Sequence, residues 1–567
     1  MDIQKRTFIQ SFKDCWNLAK PYWASNEKWR AIGLVSVVII LNLLTVYMSV
    51  LLNKWNNSFY DSIQQYDKEK FFSLLITFTY YAFTSMFFQV CSYLCQKILY
   101  IRWRKWLNTY YLDKWFYKEA YYKSRFIGNI DNPDQRISQD IGGFINTVLS
   151  LTLGFISNIV TLFSFVFILY NLSGALSFTV FDHHIVIGGY MVWVAIIYAF
   201  IGTYITFKIG RPIIRLNFIQ EAVEATFRFG LMRVREYSEN IAFYHGEKQE
   251  KNNLQNKFSN VIENFMAIMY RQIKLDIFSS VYGQIAIIFP ILVASPRYFA
   301  KIIKLGDLMQ ISSAFGRVQG ALSFFMDAYG SLAGLRATMD RLYGFISIAE
   351  KASELPVLEK QISNHNYLNI ENLNIHLPNN SRQLINNLSF SANSGDRIFI
   401  KGRSGSGKTT IFRALSGLWP YSNGQIYKKS DKVELFVGQQ TYIPNVTLRD
   451  AISYPLNVTP DDVTIKSIME KCSISHLQEY LDQELEWHKM LSLGEQQRVA
   501  FARILLNKPD IIYLDEATSA MDEEMEEHLY LLLITELPNS AILSIGHRST
   551  LAKFHNQEIN LNQFVKN

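Results

Sequence analysis

The chain has 567 residues, of which 49% are hydrophobic and 14% aromatic, and it carries a formal net charge of +7. This length favours two or three domains, and a mean hydropathy of only +0.04 indicates a strongly apolar part diluted by a polar part. The positive charges cluster in connections between apolar segments, which favours a lipid bilayer over nucleic acid as the partner; the four scattered cysteines form no zinc or disulfide framework.

The first 30 residues contain six Lys and Arg residues and no apolar core of a signal peptide. Phe8, Phe12, Trp16 and Ala19 recur near helical spacing and stop before Pro21. This pattern predicts a short helix that lies in the membrane interface. The alternative is a helix that packs on the protein's own surface.

Apolar segments long enough to cross a bilayer dominate residues 1–345. A spanning helix needs about 20 mostly apolar residues, and the clear candidates are about 31–52, 71–94, 145–172, 186–207 and 277–294. A sixth candidate, about 307–335, is more polar and contains Ser312, Ser313, Arg317, Gln319, Ser323 and Asp327. Since ionisable groups facing lipid are costly, this helix should face protein or a water-filled cavity, unless it is a cytosolic helix that does not span.

The charges of the connections predict the orientation. Residues 95–143 hold nine Lys and Arg residues, residues 208–276 hold eleven, and residues 173–185 hold none. Cytosolic connections carry the excess of positive charge. Six spans therefore place the N-terminus and the C-terminal part of the chain together in the cytosol.

The stretch DNPDQRISQDI (131–141) predicts the start of a cytosolic helix that continues into the third span. Asn132 suits the N-cap, Pro133 suits the first helical position, and Asp134 suits the positive end of the helix dipole. Gln135 would complete a capping box with Asn132.

Beyond Phe345 the long apolar segments stop. Residues 346–365 are polar and of mixed charge, which indicates a linker. From about 366 to 567, strand-like and helix-like segments alternate, as is typical of an α/β domain. The predicted fold is therefore an all-α transmembrane domain of six helices fused to an α/β domain.

A glycine-rich loop follows the predicted strand DRIFI (396–400) and precedes the helical stretch TIFRALSGL. Strand, loop and helix are the context in which G-x-x-x-x-G-K-[ST] binds nucleotide phosphates. The glycines let backbone N–H groups surround the phosphates, Lys408 reaches the β- and γ-phosphates, and Thr409 binds Mg²⁺. The predicted ATP-binding residues of this phosphate loop are Gly402, Arg403, Ser404, Gly405, Ser406, Gly407, Lys408, Thr409 and Thr410.

Two other apolar strands end in residues that suit phosphate chemistry. In IIYLDEAT (511–518), Asp515 can hold the metal through water, and Glu516 can orient and polarise the water that attacks the γ-phosphate. AILSIGH (541–547) ends at His547, which can contact the γ-phosphate from the opposite side. Paired acids can be surface charge and a lone histidine is usually structural, but the ends of buried strands favour the catalytic interpretation.

The stretch LSLGEQQRVAFARILL (491–506) predicts a helix whose first residues, Ser492 and Gly494, suit an anion. With this segment, the domain resembles an ATP-binding cassette: the phosphate loop, an LSGGQ-like signature, the acidic strand end, a D-loop (SAMD, 519–522) and His547 stand in that family's order. The resemblance implies ATP and Mg²⁺ as cofactors. It also implies a homodimer, because the signature of one subunit closes on the nucleotide of the other.

The resemblance assigns further residues. Its signature residues that would contact ATP are Ser492, Leu493, Gly494 and Glu495. The glutamine of the family's Q-loop is best matched by Gln439, with Gln440 as the fallback, and Gln439 would join Thr409 and Asp515 around Mg²⁺.

The cassette departs from the general family pattern at two places. Leu493 and Glu495 stand where the general signature has Gly and Gln, a variant that occurs in a narrower group of these proteins. LNIHLPNN (373–380) contains no aromatic residue to stack on adenine. His376 or Leu377 would stack less well, so the mode of adenine binding stays open.

A narrower resemblance covers most of the chain from about residue 70. It rests on NPDQRISQDI, EAVEATFRFGLMRVREYSENIAFYHGE (221–247), GDLMQISSAFGRVQGALSFFMDAY (306–329), ALSGLWP (414–420) and LSLGEQQR. These segments are similar to the SbmA/BacA-related ABC half-transporters, which include YddA-like proteins, a mycobacterial cobalamin transporter and the peroxisomal and lysosomal ABCD proteins. The resemblance implies an exporter-type membrane domain and coupling segments at 131–141 and 221–247, with Asn132, Asp134, Gln135, Arg136, Glu221 and Glu224 as coupling residues.

The function expected from this resemblance is ATP-driven transport of a bulky hydrophilic solute, such as cobalamin or a peptide, across a bacterial inner membrane. Import is one possible direction, since the narrower group contains importers. Arg317 and Asp327, with the serines of the sixth span, are candidates for a polar cavity lining, and Gln89 and Gln284 could join them. The alternatives are transport of acyl-CoA or a lipid-like molecule, and a regulatory membrane protein that binds ATP without pumping.

Overall fold

A computed structural model describes residues 8–128, 130, 132–180, 183–363, 367–378, 381–456, 460–546 and 548–564. The chain forms two compact units. The first unit comprises Met1–Leu112 and Asn132–Phe345, and the second comprises Asp113–Asp131 and Ile346–Asn567. The short segment 113–131 therefore belongs with the C-terminal residues, although it lies between two predicted spans in the sequence.

Long helices make up most of the first unit. In chain order, the helices between residues 8 and 353 are α1 (Phe8–Trp23), α2 (Lys28–Gln64), α3 (Lys68–Phe116), the short α4 (Ala120–Lys123) and α5 (Pro133–Gln135), α6 (Ile141–Ser173), α7 (Tyr190–Glu236), the short α8 (Ser238–Phe243), α9 (Glu247–Phe299) and α10 (Leu305–Ser353). The last residues of α3 and the whole of α4 belong to the second unit.

Five helical segments of the described chain are long and apolar enough to cross a membrane: Lys28–Gln64, Lys68–Phe126, Pro133–Ser173, Tyr190–Glu236 and Glu247–Phe299. They contain four of the five clear candidates completely, and the fifth, 186–207, from residue 190 onward. The more polar α10 contains the sixth candidate. Its residues Ile311, Ala314, Phe315 and Val318 are fully buried in a core shared with α6, α7 and α9, so this part of α10 packs against protein, as its composition predicts.

The connection between α6 and α7 is a β-hairpin. The sequence predicted an all-α domain, and this hairpin is an exception to it. Strands β1 (Ala175–Val180) and β2 (His183–Gly188) pair antiparallel. Helix α7 accordingly begins at Tyr190, four residues later than the predicted span. The alternation of Val, Ile, Phe and Thr in this stretch is a strand pattern that a search for apolar length alone overlooks.

Helix α1 packs on the protein through one face. The Tyr22 ring is fully buried and stacks on Trp103 of α3, with ring centroids 5.5 Å apart. The hydroxyl of Tyr343 in α10 donates to the carbonyl of Asp14 over 2.8 Å. Trp16, on another face, is 52% exposed. The helix continues through Pro21 to Trp23 instead of ending before the proline.

The predicted helix start at Pro133 is present, but the predicted capping box is not. Asn132 has a φ of +43° and its side chain makes no capping hydrogen bond. A capping side chain requires an extended backbone at the N-cap, and the left-handed backbone of Asn132 does not provide it. The chain continues through a π-helical turn (Arg136–Asp140) directly into α6.

The second unit contains two sheets and the helices that cover them. The strands are β3 (Lys360–Ile362), β4 (Leu368–His376), β5 (Gln383–Ala392), β6 (Arg397–Lys401), β7 (Ser422–Lys428), β8 (Glu434–Val437), β9 (Ile511–Asp515), β10 (Ala541–Ile545) and β11 (Gln557–Asn560). The helices are α11 (Lys408–Leu415), α12 (Leu448–Ser453), α13 (Asp462–Lys471), α14 (Trp487–Met490), α15 (Leu493–Asn507) and α16 (Glu523–Glu536). Helix α10 extends to Ser353, into the stretch that was predicted to be a linker.

A parallel five-stranded sheet with the order β11-β6-β10-β9-β8 forms the centre of the second unit. A second sheet with the order β3-β7-β4-β5 is mostly antiparallel. Every residue of β9 and β10 is buried, which agrees with their continuous apolar sequences. Because ligands of open α/β sheets bind at the carboxyl ends of the strands, this edge of the central sheet is where the site is expected.

The segment 113–131 packs on the second unit through aromatic side chains. The Phe126 ring meets Trp419 edge to face at 5.2 Å between centroids, and it meets Tyr421 in the same manner at 5.8 Å. The Tyr421 hydroxyl points to the Phe126 carbonyl at 3.4 Å, and Lys114 forms an ion pair of 2.9 Å with Glu350. A part of the cytosolic connection predicted from charge is thus integrated into the α/β unit.

Candidate functional site

The predicted catalytic and phosphate-binding residues follow four strands that are adjacent in the central sheet. The phosphate loop (402–410) begins directly after β6, Asp515 ends β9 and Glu516 follows it, and Gln439 lies two residues beyond β8. Position 547 follows β10, but His547 itself lies outside the described residues. Since these strands are parallel, their carboxyl ends meet at one edge of the sheet, and three separate sequence motifs come together there.

The backbone of the phosphate loop explains its glycines. Gly405 has a φ of +78° and Gly407 a φ of +91°, both in the left-handed region that a side chain disfavours. The Lys408 amine turns back over the loop and donates to the Gly402 carbonyl over 2.8 Å and towards the Arg403 carbonyl at 3.3 Å. The lysine therefore holds the two ends of the loop together.

The loop fits a phosphate group. The hydroxyl oxygen of Ser406 is buried and has no hydrogen-bond partner among the described residues, and a buried hydroxyl normally has one. Burial lowers the pKa of the Lys408 amine, while the nearby carboxylates of Glu516 and Asp515 act in the opposite direction. A buried cation beside an unsatisfied hydroxyl and the N-terminus of α11 is an arrangement that binds phosphate oxygens.

Thr409 and Asp515 bring two oxygen ligands together. The Thr409 hydroxyl donates to Asp515 Oδ1 over 3.2 Å. Burial raises the pKa of the Asp515 carboxyl, the hydrogen bond from Thr409 lowers it, and the charge of Glu516 raises it further, with a net increase. Mg²⁺ prefers one or two protein oxygens together with water and phosphate oxygens, so these residues fit a magnesium ion that is bound with ATP.

Glu516 has the position and the strained backbone of a functional residue. Gln439 Nε2 donates to Glu516 Oε2 over 3.0 Å, so Gln439 is the glutamine that contacts the catalytic candidate. The backbone of Glu516 has a φ of +53°, and its N–H donates to the Ile545 carbonyl of β10 over 2.9 Å. A non-glycine residue with a left-handed backbone costs free energy, and it persists only where the surrounding structure holds it.

The signature segment (492–495) contains a capping box that was not predicted from the sequence. Ser492 is the N-cap of α15: its Oγ accepts from the Glu495 N–H at 3.3 Å, and Glu495 Oε2 accepts from the Ser492 N–H at 2.8 Å. His476 Nε2 lies 2.7 Å from Glu495 Oε1. Although burial raises the pKa of the Glu495 carboxyl, the hydrogen bonds from Ser492 and His476 outweigh it and lower this pKa. Leu493 is 66% exposed at the start of the helix.

Two buried polar residues near the site were not predicted. Glu526 is 2% exposed and accepts hydrogen bonds from Thr518 over 2.6 Å and from Thr550 over 3.1 Å. Gln497, two residues after the signature segment, is 3% exposed and hydrogen-bonds to Ser519 and to the backbone of Gln439. Their burial and hydrogen bonds became evident only from the structure.

The predicted coupling residues lie elsewhere. Arg136 forms a buried ion pair of 2.8 Å with Asp140, and Arg341 of α10 binds the same carboxylate through two hydrogen bonds of 2.8 Å. Asn132, Asp134 and Gln135 start the helix that leads to this cluster, and the exposed Glu221 and Glu224 lie on α7. Their coupling role stays a prediction.

The predicted cavity residues lie on three different helices, and their role stays a prediction. Gln89 on α3, Gln284 on α9 and Arg317 on α10 are all exposed on their helices. Asp327 lies in α10, but its side chain is outside the described part.

Two family models match the chain. The model described as ABC transporter transmembrane region 2 matches residues 18–299, and the model described as ABC transporter matches residues 385–519. The second match includes the phosphate loop, Gln439, the signature segment and Glu516. The family matches thus cover both parts of the chain that the sequence and the fold had separated.

Full-length relatives show the same arrangement. The inner membrane ABC transporter ATP-binding protein YddA of Escherichia coli is 33% identical over 94% of each chain. The human lysosomal cobalamin transporter ABCD4 is 26% identical over 99% of this chain and 95% of its own. A solved structure of a bacterial Atm1-family ABC exporter with ATP bound superimposes with a TM-score of 0.74, covering 95% of this chain and 94% of that one at 17% identity. That structure supports the fold, an exporter-type membrane domain fused to a nucleotide-binding domain.

Proposed function

Because the chain belongs to the ABC transporters, with a cassette that is an ATPase coupled to transport, we propose that two copies pair in a bacterial inner membrane and import a bulky hydrophilic solute of the cobalamin class. The observation that carries its ATP-driven part is the hydrogen bond from Gln439 to Glu516, beside Thr409 and Asp515, at one edge of the central sheet.

Each residue at this edge of the sheet has a separate role in the proposed hydrolysis of ATP. The phosphate loop and Lys408 would hold the phosphates, and Thr409 and Asp515 would hold a Mg²⁺ ion, which would neutralise phosphate charge. The carboxylate of Glu516 orients the attacking water and accepts its proton, and Gln439 fixes the orientation of that carboxylate. His547, which follows β10 in the sequence, completes the set by contact with the γ-phosphate.

The position of the signature supports the proposed homodimer. Each chain supplies one phosphate loop and one signature segment, and in cassettes of this kind the signature of one subunit completes the nucleotide site of the other. The N-terminus of α15, with Ser492, the exposed Leu493 and Gly494, is the surface that would contact the nucleotide of the other subunit. Two copies then bind two ATP molecules.

The solute class is supported by two features. A relative that matches 99% of this chain carries the name of a cobalamin transporter. Helix α10, which contains the predicted sixth span, is more polar than contact with lipid would favour. Its polar residues are Ser312, Ser313, Arg317, Gln319 and Ser323. The inner membrane is supported by the name of the YddA relative.

Transport by purified protein tests this proposal. Proteoliposomes are prepared with the cassettes outward, so that the bath represents the cytosol, and loaded with labelled cobalamin. ATP-dependent release into the bath is the predicted result, and uptake into the lumen would establish export instead. Labelled peptides and acyl-CoA are compared in the same preparation, and ATP-dependent movement of one of them, with none of cobalamin, would overturn the solute class.

A further inference from the structure

We propose that Gln497 is a positioning residue for ATP hydrolysis, which fixes Glu516 and Gln439 relative to each other. The inference rests on the catalytic roles proposed above for these two residues. Gln497 lies one turn into α15 and is 3% exposed. Its side chain is therefore shielded from water, and its effect on the site is exerted through protein groups.

Both the nitrogen and the oxygen of the Gln497 side-chain amide form hydrogen bonds. Nε2 donates to the hydroxyl of Ser519 over 3.1 Å and to the carbonyl of Gln439 over 3.3 Å, and Oε1 accepts from the N–H of Ala520 over 3.0 Å. A buried amide with these bonds fixes the groups around it, because each bond broken without a replacement leaves a buried polar group unsatisfied.

One of these contacts leads to Glu516. The N–H of Ser519 donates to the Glu516 carbonyl over 3.1 Å, so the turn that follows Glu516 is closed on one side by its own backbone and on the other by Gln497. A Cβ atom added to Gly494 would lie 3.3 Å from the Ala520 carbonyl, which places this turn against the first turn of α15. The left-handed backbone of Glu516 needs such support from its surroundings.

The other contact leads to Gln439. Its side chain donates to Glu516 Oε2, and its carbonyl accepts from Gln497. Both members of the catalytic pair are thus held from the same buried amide, Gln439 through its backbone and Glu516 through Ser519 and Ala520. Displacing reacting groups by about 1 Å can cost on the order of 100-fold in rate, so loss of Gln497 should lower the rate of hydrolysis without removing any group that touches ATP.

Gln496 provides a matched control. It is the same residue type on the same helix, and its Nε2 also donates two hydrogen bonds, to the His488 carbonyl over 3.0 Å and to the Leu491 carbonyl over 2.9 Å. These bonds hold the chain that precedes the signature and reach neither Gln439 nor the turn after Glu516. Gln496→Met therefore removes a comparable number of donor bonds without the proposed link.

The test measures ATP hydrolysis by the full-length protein in detergent, with melting temperatures to confirm that each variant folds. Gln497→Met should lower kcat by about 10- to 100-fold and change the KM for ATP by less than about threefold, whereas Gln496→Met should stay within about twofold of the parent. In a Gln439→Ala background, Gln497→Met should cost less than it does alone, because part of its effect passes through Gln439.

Ser519→Ala keeps the test decisive if Gln497→Met does not fold. It removes one partner of Gln497 with a small truncation and should lower kcat by about three- to tenfold. The proposal is overturned if Gln497→Met or, failing that, Ser519→Ala hydrolyses ATP at the parent rate, or if the Gln496 and Gln497 variants lose the same activity. Glu516→Gln separates this failure from that of the proposed site: if it retains full hydrolysis, the assignment of Glu516 itself is wrong.

Discussion

Gln439 donates a hydrogen bond to Glu516 over 3.0 Å, and the two residues follow neighbouring parallel strands, β8 and β9, that are 77 residues apart in the chain. This contact joins the glutamine that lies exposed beyond one strand to the acid that follows the buried carboxylate of the next. It gives the Glu516 carboxylate a fixed orientation, which a residue that positions water requires.

Replacing the proposed general base should stop hydrolysis without preventing binding. Glu516→Gln keeps the size of the side chain but removes the charge that polarises water, so we expect kcat to fall by about 100- to 10,000-fold. ATP binding, measured by fluorescence of a labelled nucleotide, should be retained. Glu523→Gln, an exposed acid at the start of α16, is the control and should hydrolyse ATP normally. Hydrolysis by Glu516→Gln at the parent rate would remove Glu516 from the mechanism.

Glu526 should contribute strongly to the stability of the cassette. Its buried carboxylate accepts from Thr518 and Thr550 and lies 3.7 Å from Arg548, so Glu526→Ala leaves several buried polar groups unsatisfied. We expect a loss of about 2–3 kcal/mol in the free energy of unfolding, measured by denaturant titration. The neighbouring Glu527 pairs with Lys553 at the surface, and Glu527→Ala should cost at most about 1 kcal/mol. Equal losses in the two variants would contradict the role of burial.

The cassette should lose stability as the pH falls below about 6.5, the usual pKa of histidine. Burial lowers the pKa of His555, an effect that Arg397 increases and the hydrogen bond to the Leu551 carbonyl opposes. His555 Nε2 also lies 2.8 Å from Ser544 Oγ. Because the unfolded chain binds the proton more readily, His555 contributes its full stability above pH 6.5 and loses it as the pH falls towards the lower folded pKa.

Melting temperatures measured between pH 5 and pH 8 check this dependence. His555→Gln removes the titrating group and should flatten the decrease at acidic pH. His528→Gln, at an exposed position of α16, should retain it. An unchanged pH dependence in His555→Gln would assign the acid sensitivity to other groups.

Phe126 should contribute to the coupling of hydrolysis to transport. It comes from the connection between the second and third spans, yet it packs edge to face on Trp419 and Tyr421 of the cassette unit. Phe126→Ala should lower the amount of solute moved per ATP hydrolysed, because it weakens the packing of this connection on the cassette. The exposed neighbour Ile127 is the control, and Ile127→Ala should preserve the ratio. If both variants keep the parent ratio, Phe126 has no part in coupling.

The strand ends that carry the site could be predicted from the sequence, because motif and context agree there. A buried apolar strand leads directly into the glycine loop, into Asp515 and Glu516, and towards His547, and strand positions follow from short-range pattern alone. The choice of Gln439 over Gln440 depended on family resemblance, and the hydrogen bond to Glu516 now supports it.

The capping rule illustrates where sequence pattern was insufficient. Applied at Asn132, it predicted a capping box, but the left-handed backbone there prevents one. The same rule fits Ser492 and Glu495, where the structure has a complete capping box, but this site had been interpreted only as an anion-binding signature. Local spacing cannot distinguish the two places, because the backbone conformation at the N-cap is set by the packing of the whole unit.

The buried polar residues could not be predicted from the periodicity of the sequence. Gln497 and Glu526 stand in polar and charged stretches of their helices, EQQR and EEMEEH. Nothing in their spacing indicates that each is shielded from water and hydrogen-bonded across elements. Likewise, the assignment of 113–131 to the cassette unit depends on contacts with residues about 300 positions away. Such contacts follow from the tertiary fold.

The most direct test of the account measures ATP hydrolysis and solute movement in the same cassette-outward proteoliposomes, for the parent protein and for Glu516→Gln. The account predicts that labelled cobalamin leaves the lumen of parent vesicles in an ATP-dependent manner, and that hydrolysis and release are lost together in the variant. Release that continues at the parent rate after hydrolysis has stopped would contradict it, because ATP would then gate the protein without driving transport.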